Sequence, residues 1–452
     1  MHDCPTILTI AGSDSSGGAG IQADLKTFAM LGGYGASVIT ALTAQNTVAV
    51  TGIHPVPADF VVSQYQAVVS DLNVRAAKTG MLLSAEIIQA LAEVLSQRSF
   101  PLVVDPVCVS QSGTRLLEES AVASMARSIF PLADLLTPNL PEAELFAGMR
   151  IKNAQDVCEA AERLLALGPK AVLIKGGHMD SPASTDWYMT PGQKVIPLMQ
   201  TRVDTKNLHG TGCTLSAAIT AFLGQGLDML VAVRRAQHFL QAALRASYAV
   251  GAGGGSPNHA VPLVKEQARL GLLRELADAG HALTILPRFA RLIPEVRTNF
   301  ALALPFAASS DDVAAFSGRI TCTRRGQVIL AGAPEFGASS HMARVVLAAR
   351  KINPRLGCAL NIVCNQDSVG AIKRAGLTIA QFNRADEPEA DRDREGGTMD
   401  WGTITALEQH KTPGSVDAVI DPGGPGKEPM VRLLAADTRD MLGKVRRILD
   451  LL

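Results

Sequence analysis

The stretch His209-Gly210-Thr211-Gly212-Cys213-Thr214 decides how this chain is read. Lys194 to Val203 ahead of it is strand-compatible, and Thr214 to Leu223 behind it is apolar and helix-compatible. Small residues at 210–212 let the N–H groups of a helix start face a transferring phosphoryl group. Cys213 then falls in the first helical turn, where the helix dipole lowers a thiol pKa and favours the thiolate. A general base beside an anion-stabilising turn is what a small-molecule kinase needs to deprotonate an alcohol. Taken alone, the stretch fits equally well a glycine-rich helix start with a buried structural cysteine.

Other segments shift that balance. Thr6–Ala11 is a short apolar strand that runs into Gly12-Ser13-Asp14-Ser15-Ser16-Gly17-Gly18-Ala19-Gly20, and Ile21, Leu25 and Phe28 then recur at helical spacing. A glycine-rich loop after a first strand also suggests a dinucleotide fold, but the spacing is not G-x-G-x-x-G and no acidic residue ends the second strand at Gly35–Leu42. Further on come Lys78-Thr79-Gly80-Met81, Val104-Asp105-Pro106-Val107, Thr137-Pro138-Asn139-Leu140-Pro141-Glu142 and Ile174-Lys175-Gly176-Gly177-His178. Each lies where an apolar strand ends and a loop begins, the place where ligands bind in an open α/β sheet.

These segments, from residue 5 to about 262, resemble the ribokinase-like superfamily, and within it the bifunctional hydroxymethylpyrimidine and hydroxymethylpyrimidine-phosphate kinases. The matching text is AGSDSSGGAGIQADLKTF, VITALTAQNT, KTGML, VVDPV, TPNLPEAELF, IKGGH and KNLHGTGCTLSAAI. The wider superfamily carries aspartate as its base; Cys213 marks the pyrimidine-kinase branch and some related pyridoxal kinases. The resemblance implies a three-layer αβα domain over 1–262 with ATP as co-substrate and Mg2+. It makes Cys213 the base and the backbone of Gly210, Thr211, Gly212 and Cys213 the anion hole. Asn139 is implied as a phosphate contact, Glu142 and Asp105 as metal-organising carboxylates, and Lys175 as a nucleotide-phosphate contact. Gly12, Gln45, Met81 and Val107 would line the pyrimidine pocket, with the Gln45 amide pairing donor to acceptor with the aminopyrimidine edge. Asp24 reads as structural. The plainer alternatives are a helix-start carboxylate for Glu142 and a solvated strand-end lysine for Lys175.

Composition bounds the rest. A chain of 452 residues predicts two or three domains. With 42 basic and 42 acidic residues, no attraction to nucleic acid or an acidic membrane is expected, and 4% aromatic content argues against base-stacking platforms. No long apolar window and no basic segment before an apolar core predict neither a membrane span nor a secretory signal. The seven cysteines are scattered, at 4, 108, 158, 213, 322, 358 and 364, and form neither a zinc spacing nor a disulfide framework. A reducing cytoplasm suits a thiolate base. Small-molecule substrates and a homo-oligomer, a dimer, are the expected partners. Gly251–Asn258 looks like a flexible linker, but the resemblance assigns a similar Asn-His loop to the kinase. A connecting helix is expected over 263–285, with Ala268, Leu272, Leu273 and Leu276 on one face. The charge-dense run Arg384 to Glu395 is expected to be a mobile surface loop.

Residues 286–452 read as a second, smaller α/β domain. Strands are predicted at Thr298–Leu304, Arg319–Thr323, Gln327–Leu330, Cys358–Val363, Thr378–Phe382 and Ala418–Ile420, and helices at His341–Lys351, Ser368–Ala375 and Asp437–Leu451. LIPEVRTN, GRI, FGASSHMAR, LNI and DPGGPGKEPM resemble the thiamine-phosphate synthase domain found fused behind pyrimidine kinases. The implied reaction joins a pyrimidine diphosphate to a thiazole phosphate with loss of pyrophosphate. Arg319 suits bidentate diphosphate binding, and His341 at a helix start suits phosphate contact or proton handling. Ser339, Ser340 and Lys427 are further phosphate candidates, and Asn361 a substrate candidate. Arg297 stands where the family carries glycine. Two alternatives are a ligand-sensing regulatory domain, disfavoured because no helix-turn-helix segment is present, and a pyridoxal-type kinase with an inert tail, disfavoured by Gln45.

Overall fold

The computed structural model describes residues 4–108, 117, 119–177, 183–389, 397–424 and 426–452. His178, residues 390–395 of the run 384–395, and Pro425 therefore lie outside the described residues. The chain divides into two compact units, Met1–Pro262 and Leu263–Leu452.

The first unit is built on β1 (Thr6–Ala11), α1 (Gly20–Met30), β2 (Tyr34–Ile39), β3 (Ala41–Gln45), β4 (Val50–Pro55), α2 (Ala58–Asp71), β5 (Val74–Thr79), α3 (Ala85–Leu95) and β6 (Leu102–Val104). It continues through α4 (Glu119–Ser124), β7 (Leu135–Leu136), α5 (Leu140–Ala147), α6 (Ala154–Leu165), β8 (Val172–Ile174), β9 (Ala183–Met189), β10 (Ile196–Thr201), α7 (Thr211–Gly224) and α8 (Met229–Arg245). Eight strands form one sheet in the order β10-β9-β8-β7-β6-β5-β1-β2. From β8 to β2 all pairings are parallel, and β9 and β10 close the far edge antiparallel. Strands buried on both faces must be apolar throughout, which is why the short runs LVV and VLI are strands at all: every residue in them is buried. Because β1 lies between β2 and β5, the winding direction reverses there. At such a reversal, the loops leaving the carboxyl ends of the strands open a crevice. Gly12, Gly80, Asp105, Asn139 and Lys175 all stand just past such ends.

The expected second strand, Gly35–Leu42, divides in two. β2 stops at Ile39, and β3 pairs with β4 in a separate ribbon. Thr40 is the pivot: its N–H still reaches Ala11 O at 3.1 Å, while its hydroxyl donates to Met81 O at 2.6 Å. The glycine run at 251–255 is no free linker. Gly253 N donates to Thr47 Oγ1 at 3.1 Å and Gly255 N to Asn207 Oδ1 at 3.0 Å, and a Cβ on Gly255 would lie 1.6 Å from Tyr248 O.

The second unit holds all but the first two residues of α9 (Val261–Thr284), followed by β11 (Phe300–Ala303), β12 (Val313–Phe316), β13 (Ile320–Cys322), β14 (Val328–Leu330), β15 (Pro334–Phe336) and α10 (Ser340–Ile352). Then come β16 (Cys358–Val363), α11 (Gln366–Arg374), β17 (Ile379–Gln381), α12 (Gly397–Glu408), β18 (Ala418–Asp421), β19 (Met430–Ala435) and α13 (Thr438–Asp450). Its seven-stranded sheet runs β15-β12-β11-β16-β19-β18-β17, antiparallel except between β17 and β18. One apolar layer joins α9, α11 and α13 to one face, and a second joins α10 and α12 to the other. The sequence reading missed β12, β15, β19 and α12. At three residues β15 carries no usable period, and β19 hides its pattern behind a charged residue, Arg432.

Residues 263–285, expected as a connector, are helical but integral to the second core: Leu272, Leu276, Ala279 and Leu283 of α9 are buried in it. Deleting a buried leucine side chain costs about 2–5 kcal/mol, and whole domains hold only about 5–15 kcal/mol. A fragment 263–452 is therefore expected to fold, whereas a fragment starting at 286 should aggregate. Solubility and thermal melting of the two check this, and a cooperative melt for the shorter one would refute it.

Arg384 also departs from expectation. Its guanidinium is anchored to Asp421 by two bonds of 2.8 Å and is not part of a mobile loop.

Candidate active sites

α7 starts at Thr211 without a side-chain cap, so the N–H groups of its first turn have no acceptor within the helix. Gly210 sits at φ 82, and a Cβ there would lie 1.8 Å from Gly18 O. Only glycine permits that conformation and that approach, so the helix start is locked to the glycine-rich loop. On the other side, the α-carbon of Gly212 faces Lys175 and Asp105: a Cβ there would lie 3.4 Å from Lys175 Nζ and 3.6 Å from Asp105 Oδ2. Lys175 Nζ and Asp105 Oδ1 form an ion pair at 2.8 Å, and Ser216 Oγ, one turn along α7, donates to Asp105 Oδ2 at 3.2 Å. Sequence-distant residues 105, 175 and 210–213 are thus brought together.

The Cys213 thiol departs from expectation. The helix dipole was expected to favour the thiolate, but burial pushes the thiol up to about 11, against the opposing pull of Lys78 and a bond from Gly20 N–H. Desolvation of a soft anion outweighs a half-charge dipole shared with solvent. Beneath the site lies a pair that the sequence reading did not assign. Lys78 and Asp24, both fully buried, meet at 2.8 Å, and Thr9 Oγ1 donates to Asp24 Oδ2 at 2.6 Å. Burial alone would lower the Lys78 pKa, but Asp24, Cys213 and Asp105 hold it above the ordinary lysine value. Asp24→Asn is expected to lower stability by about 3–5 kcal/mol, the cost of stranding one member of a buried ion pair. Chemical denaturation checks this, and a loss below about 1 kcal/mol would remove the pair from the account.

Asn139 and Glu142 are committed to each other as a capping box. Glu142 N donates to Asn139 Oδ1 and Asn139 N to Glu142 Oε2, both at 2.9 Å, while Cys108 N donates to Glu142 Oε1 at 3.1 Å. The helix-start reading of Glu142 thus describes its contacts, although α5 begins at Leu140, with Pro141 second. Burial raises the Glu142 pKa, Lys175 opposes this, and Asp105 adds to it. Each carboxylate oxygen of Asp105 and Glu142 accepts one hydrogen bond among the described residues and keeps a second lone pair. Among the described residues, no group of three His, Cys, Asp or Glu side chains is arranged to hold a metal directly. Two partly engaged carboxylates fit a cation that keeps most of its waters, as magnesium does.

The pyrimidine-pocket residues converge in part. Met81 packs with Ala41, Leu83, Ile53 and Val107 in a small apolar cluster apart from the main core, and a Cβ on Gly12 would lie 2.2 Å from Met81 Cε. Gln45 stands beside this cluster, its Oε1 accepting from Thr43 Oγ1 at 3.3 Å. His209 and Asp14 were also missed. Asp14 accepts from Ser16, Gly18 and Ala19 N–H groups and pairs with His209 Nε2 at 2.8 Å. Burial would raise its pKa, but these bonds, His209 foremost, hold it down to about 2. The glycine-rich loop is therefore folded around its own carboxylate.

In the second unit a cavity of about 200 Å3 is lined by Val296, Arg297, Arg319, Ser339, His341 and Asn361, with Arg432 also in its wall. Arg319 and His341, both singled out by the sequence, line this one cavity. Ser339 caps α10 by accepting from Met342 N at 3.4 Å. Ser340 and Lys427 do not line the cavity; both are exposed, and Lys427 is bonded through its backbone to Gly424. Asn361 is spent on the protein itself: its Nδ2 donates to Arg297 O at 2.9 Å and its Oδ1 accepts from Asn299 N at 2.7 Å. Arg432 escaped the sequence reading; the only signal was a lone arginine inside the apolar run of β19.

An uncapped helix start beside a lysine–aspartate pair, with a small apolar cluster at the same sheet edge, is an arrangement suited to phosphoryl transfer to a small molecule. The chain belongs to the phosphomethylpyrimidine kinase family, whose model matches residues 14–258, and it carries a second family match, thiamine-phosphate synthase ThiN, over residues 275–447. It is 49% identical over 255 residues to the thiamine biosynthesis bifunctional protein ThiED of Geobacter sulfurreducens, covering 56% of this chain and 52% of that protein. The chain thus spans about half the length of that relative. It is 44% identical over 263 residues to a hydroxymethylpyrimidine/phosphomethylpyrimidine kinase of Haemophilus influenzae, covering 57% of this chain and 98% of the relative. Among solved structures it resembles an ADP complex of Bacillus subtilis pyridoxal kinase, with TM-score 0.54, 35% identity and coverage of 57% of this chain and 98% of that one. It also resembles Staphylococcus aureus pyridoxal kinase in complex with AMP-PCP and pyridoxal, with TM-score 0.53, 34% identity and coverage of 57% and 94%. No helix is long and apolar enough to cross a membrane among the described residues.

Proposed function

We propose that this chain phosphorylates hydroxymethylpyrimidine with ATP to its monophosphate and then to its diphosphate, and condenses the diphosphate with thiazole phosphate to thiamine phosphate and pyrophosphate. The observation that carries the kinase half is the helix start that bears Cys213 standing against the Lys175–Asp105 pair, at the sheet edge where Gly12 and Met81 also stand. Cys213 takes the proton of the hydroxymethyl group. Lys175, cationic and largely buried, stabilises charge on the transferring phosphoryl group with the first-turn N–H groups of α7. Magnesium, held through waters by Asp105 and Glu142, would neutralise charge on the nucleotide phosphates. In the second unit Arg319 holds the departing diphosphate and His341 contacts phosphate or handles a proton. The reading places the protein in the cytoplasm as a homodimer.

Incubating the purified chain with hydroxymethylpyrimidine, ATP, Mg2+ and thiazole phosphate should yield thiamine phosphate. Diphosphate without thiamine phosphate would leave the second unit as a ligand sensor. The likeness to two pyridoxal kinases supports one other reading, phosphorylation of pyridoxal. Pyridoxal in the same assay separates the two, since the pyrimidine should be turned over with the higher kcat/KM.

A further inference from the structure

We propose that Arg432, with Arg297 and Arg319, forms the diphosphate-binding end of the cavity in the second unit, an inference that rests on the synthase reading. Arg432 lies in the middle of β19, side chain 2% exposed, and its Nη2 donates to Asp421 Oδ2 at 2.5 Å. Its Nη1 is buried and has no hydrogen-bond partner among the described residues. Asp421, 1% exposed, is already bound bidentately by Arg384 and also accepts from Gly423 N at 3.1 Å. Asp421 favours the charged form of Arg432, and Arg384, on the same carboxylate, opposes it. One carboxylate is therefore shared by two guanidinium groups, of which Arg432 stands in the cavity wall. A buried cation without a full counter-charge, and with an idle donor, is costly unless a ligand completes it.

A second observation points the same way. Arg297 and Arg319, both in the cavity lining, hold left-handed backbone at φ 70 and φ 66. Non-glycine residues in that region are strained, and such strain gathers at ligand sites. The backbone of this loop is fixed from below: Asn361 Nδ2 holds Arg297 O, and Arg319 Nη1 donates to Val296 O. Three arginines thus converge on a space of about 200 Å3, smaller than the roughly 300–1,000 Å3 of sites that engulf a whole small molecule. The space suits one end of the substrate. Methionines 342, 399 and 430 complete an apolar wall, so the charged pole is the end that takes the phosphates.

The test uses the full-length chain and inorganic pyrophosphate as probe, in the variants Arg432→Lys and Arg297→Gly, with kinase activity and thermal melting as fold controls. Arg297→Gly suits the left-handed backbone, so it should melt no earlier than the wild type yet bind pyrophosphate at least tenfold more weakly by calorimetry. Arg432→Lys keeps the charge but loses the fork, and should raise the KM for supplied diphosphate and the inhibition constant of pyrophosphate by a similar factor. Folded variants that both bind pyrophosphate within twofold of wild type, while the wild type condenses normally, overturn the arginine site and leave the synthase reading intact. Pyrophosphate binding that depends on Arg297 and Arg432 in a chain that makes no thiamine phosphate supports the anion site and refutes the synthase reading instead.

Discussion

Cys213→Ser is expected to slow both phosphorylation steps by roughly 10²-fold or more, the usual scale for loss of a general base, with Cys213→Asp recovering part of the rate. The structure adds a signature to that loss. A thiol pushed up to about 11 is active as a base only when deprotonated. At pH 7 about one molecule in ten thousand carries the thiolate, and that fraction rises tenfold per pH unit below the pKa. The wild-type kcat/KM for hydroxymethylpyrimidine should therefore climb with a slope near one from pH 6 to about 9. It should not level off near 8.5, where an unperturbed thiol titrates. In Cys213→Asp the climb should vanish, because a carboxylate is already ionised over that range. A wild-type profile that is flat above pH 7, or an unchanged rate in Cys213→Ala, would remove Cys213 from the base role.

Arg319→Ala and His341→Ala should each abolish or severely slow thiamine phosphate formation from supplied diphosphate and thiazole phosphate, with both kinase activities unchanged in the same samples. The two side chains line one cavity, and negative charge develops on the leaving diphosphate as its bond breaks. A fixed cation stabilises that charge more than it stabilises the ground state, so the loss should fall on kcat more than on KM. Arg319 also ties down the Val296 carbonyl. Its alanine variant should therefore loosen the neighbouring loop, and Arg319→Lys should recover less than half of the rate because a single ammonium cannot replace the fork. Condensation at the wild-type rate in both alanine variants would favour a ligand-sensing second unit.

The sequence by itself determined the α/β class, the presence of two α/β units, and the positions at which chemistry gathers. That much was legible because apolar runs such as Thr6–Ala11 and Cys358–Val363 must be buried, and because in the parallel sheet of the first unit glycine and charged residues placed just beyond such runs fall on the carboxyl edge. Asp105 and Lys175 stand at such strand ends, while the roles given to them and to Cys213, Arg319 and His341 rest on the resemblance as well. What periodicity cannot carry is the partner of each polar atom. Only the fold pairs Lys78 with Asp24, and only the fold sets the desolvation that pushes the Cys213 thiol up where the helix start alone would pull it down. Only the fold wraps the glycine-rich loop around Asp14, commits Asn139 and Glu142 to each other, and joins α9 to the second core. Arg432 is the clearest case, since its charge interrupts the apolar pattern of β19 and conceals the strand that buries it. Burial, and with it protonation and counter-charge, is set by contacts between residues distant in sequence, so it exists only once the chain has folded.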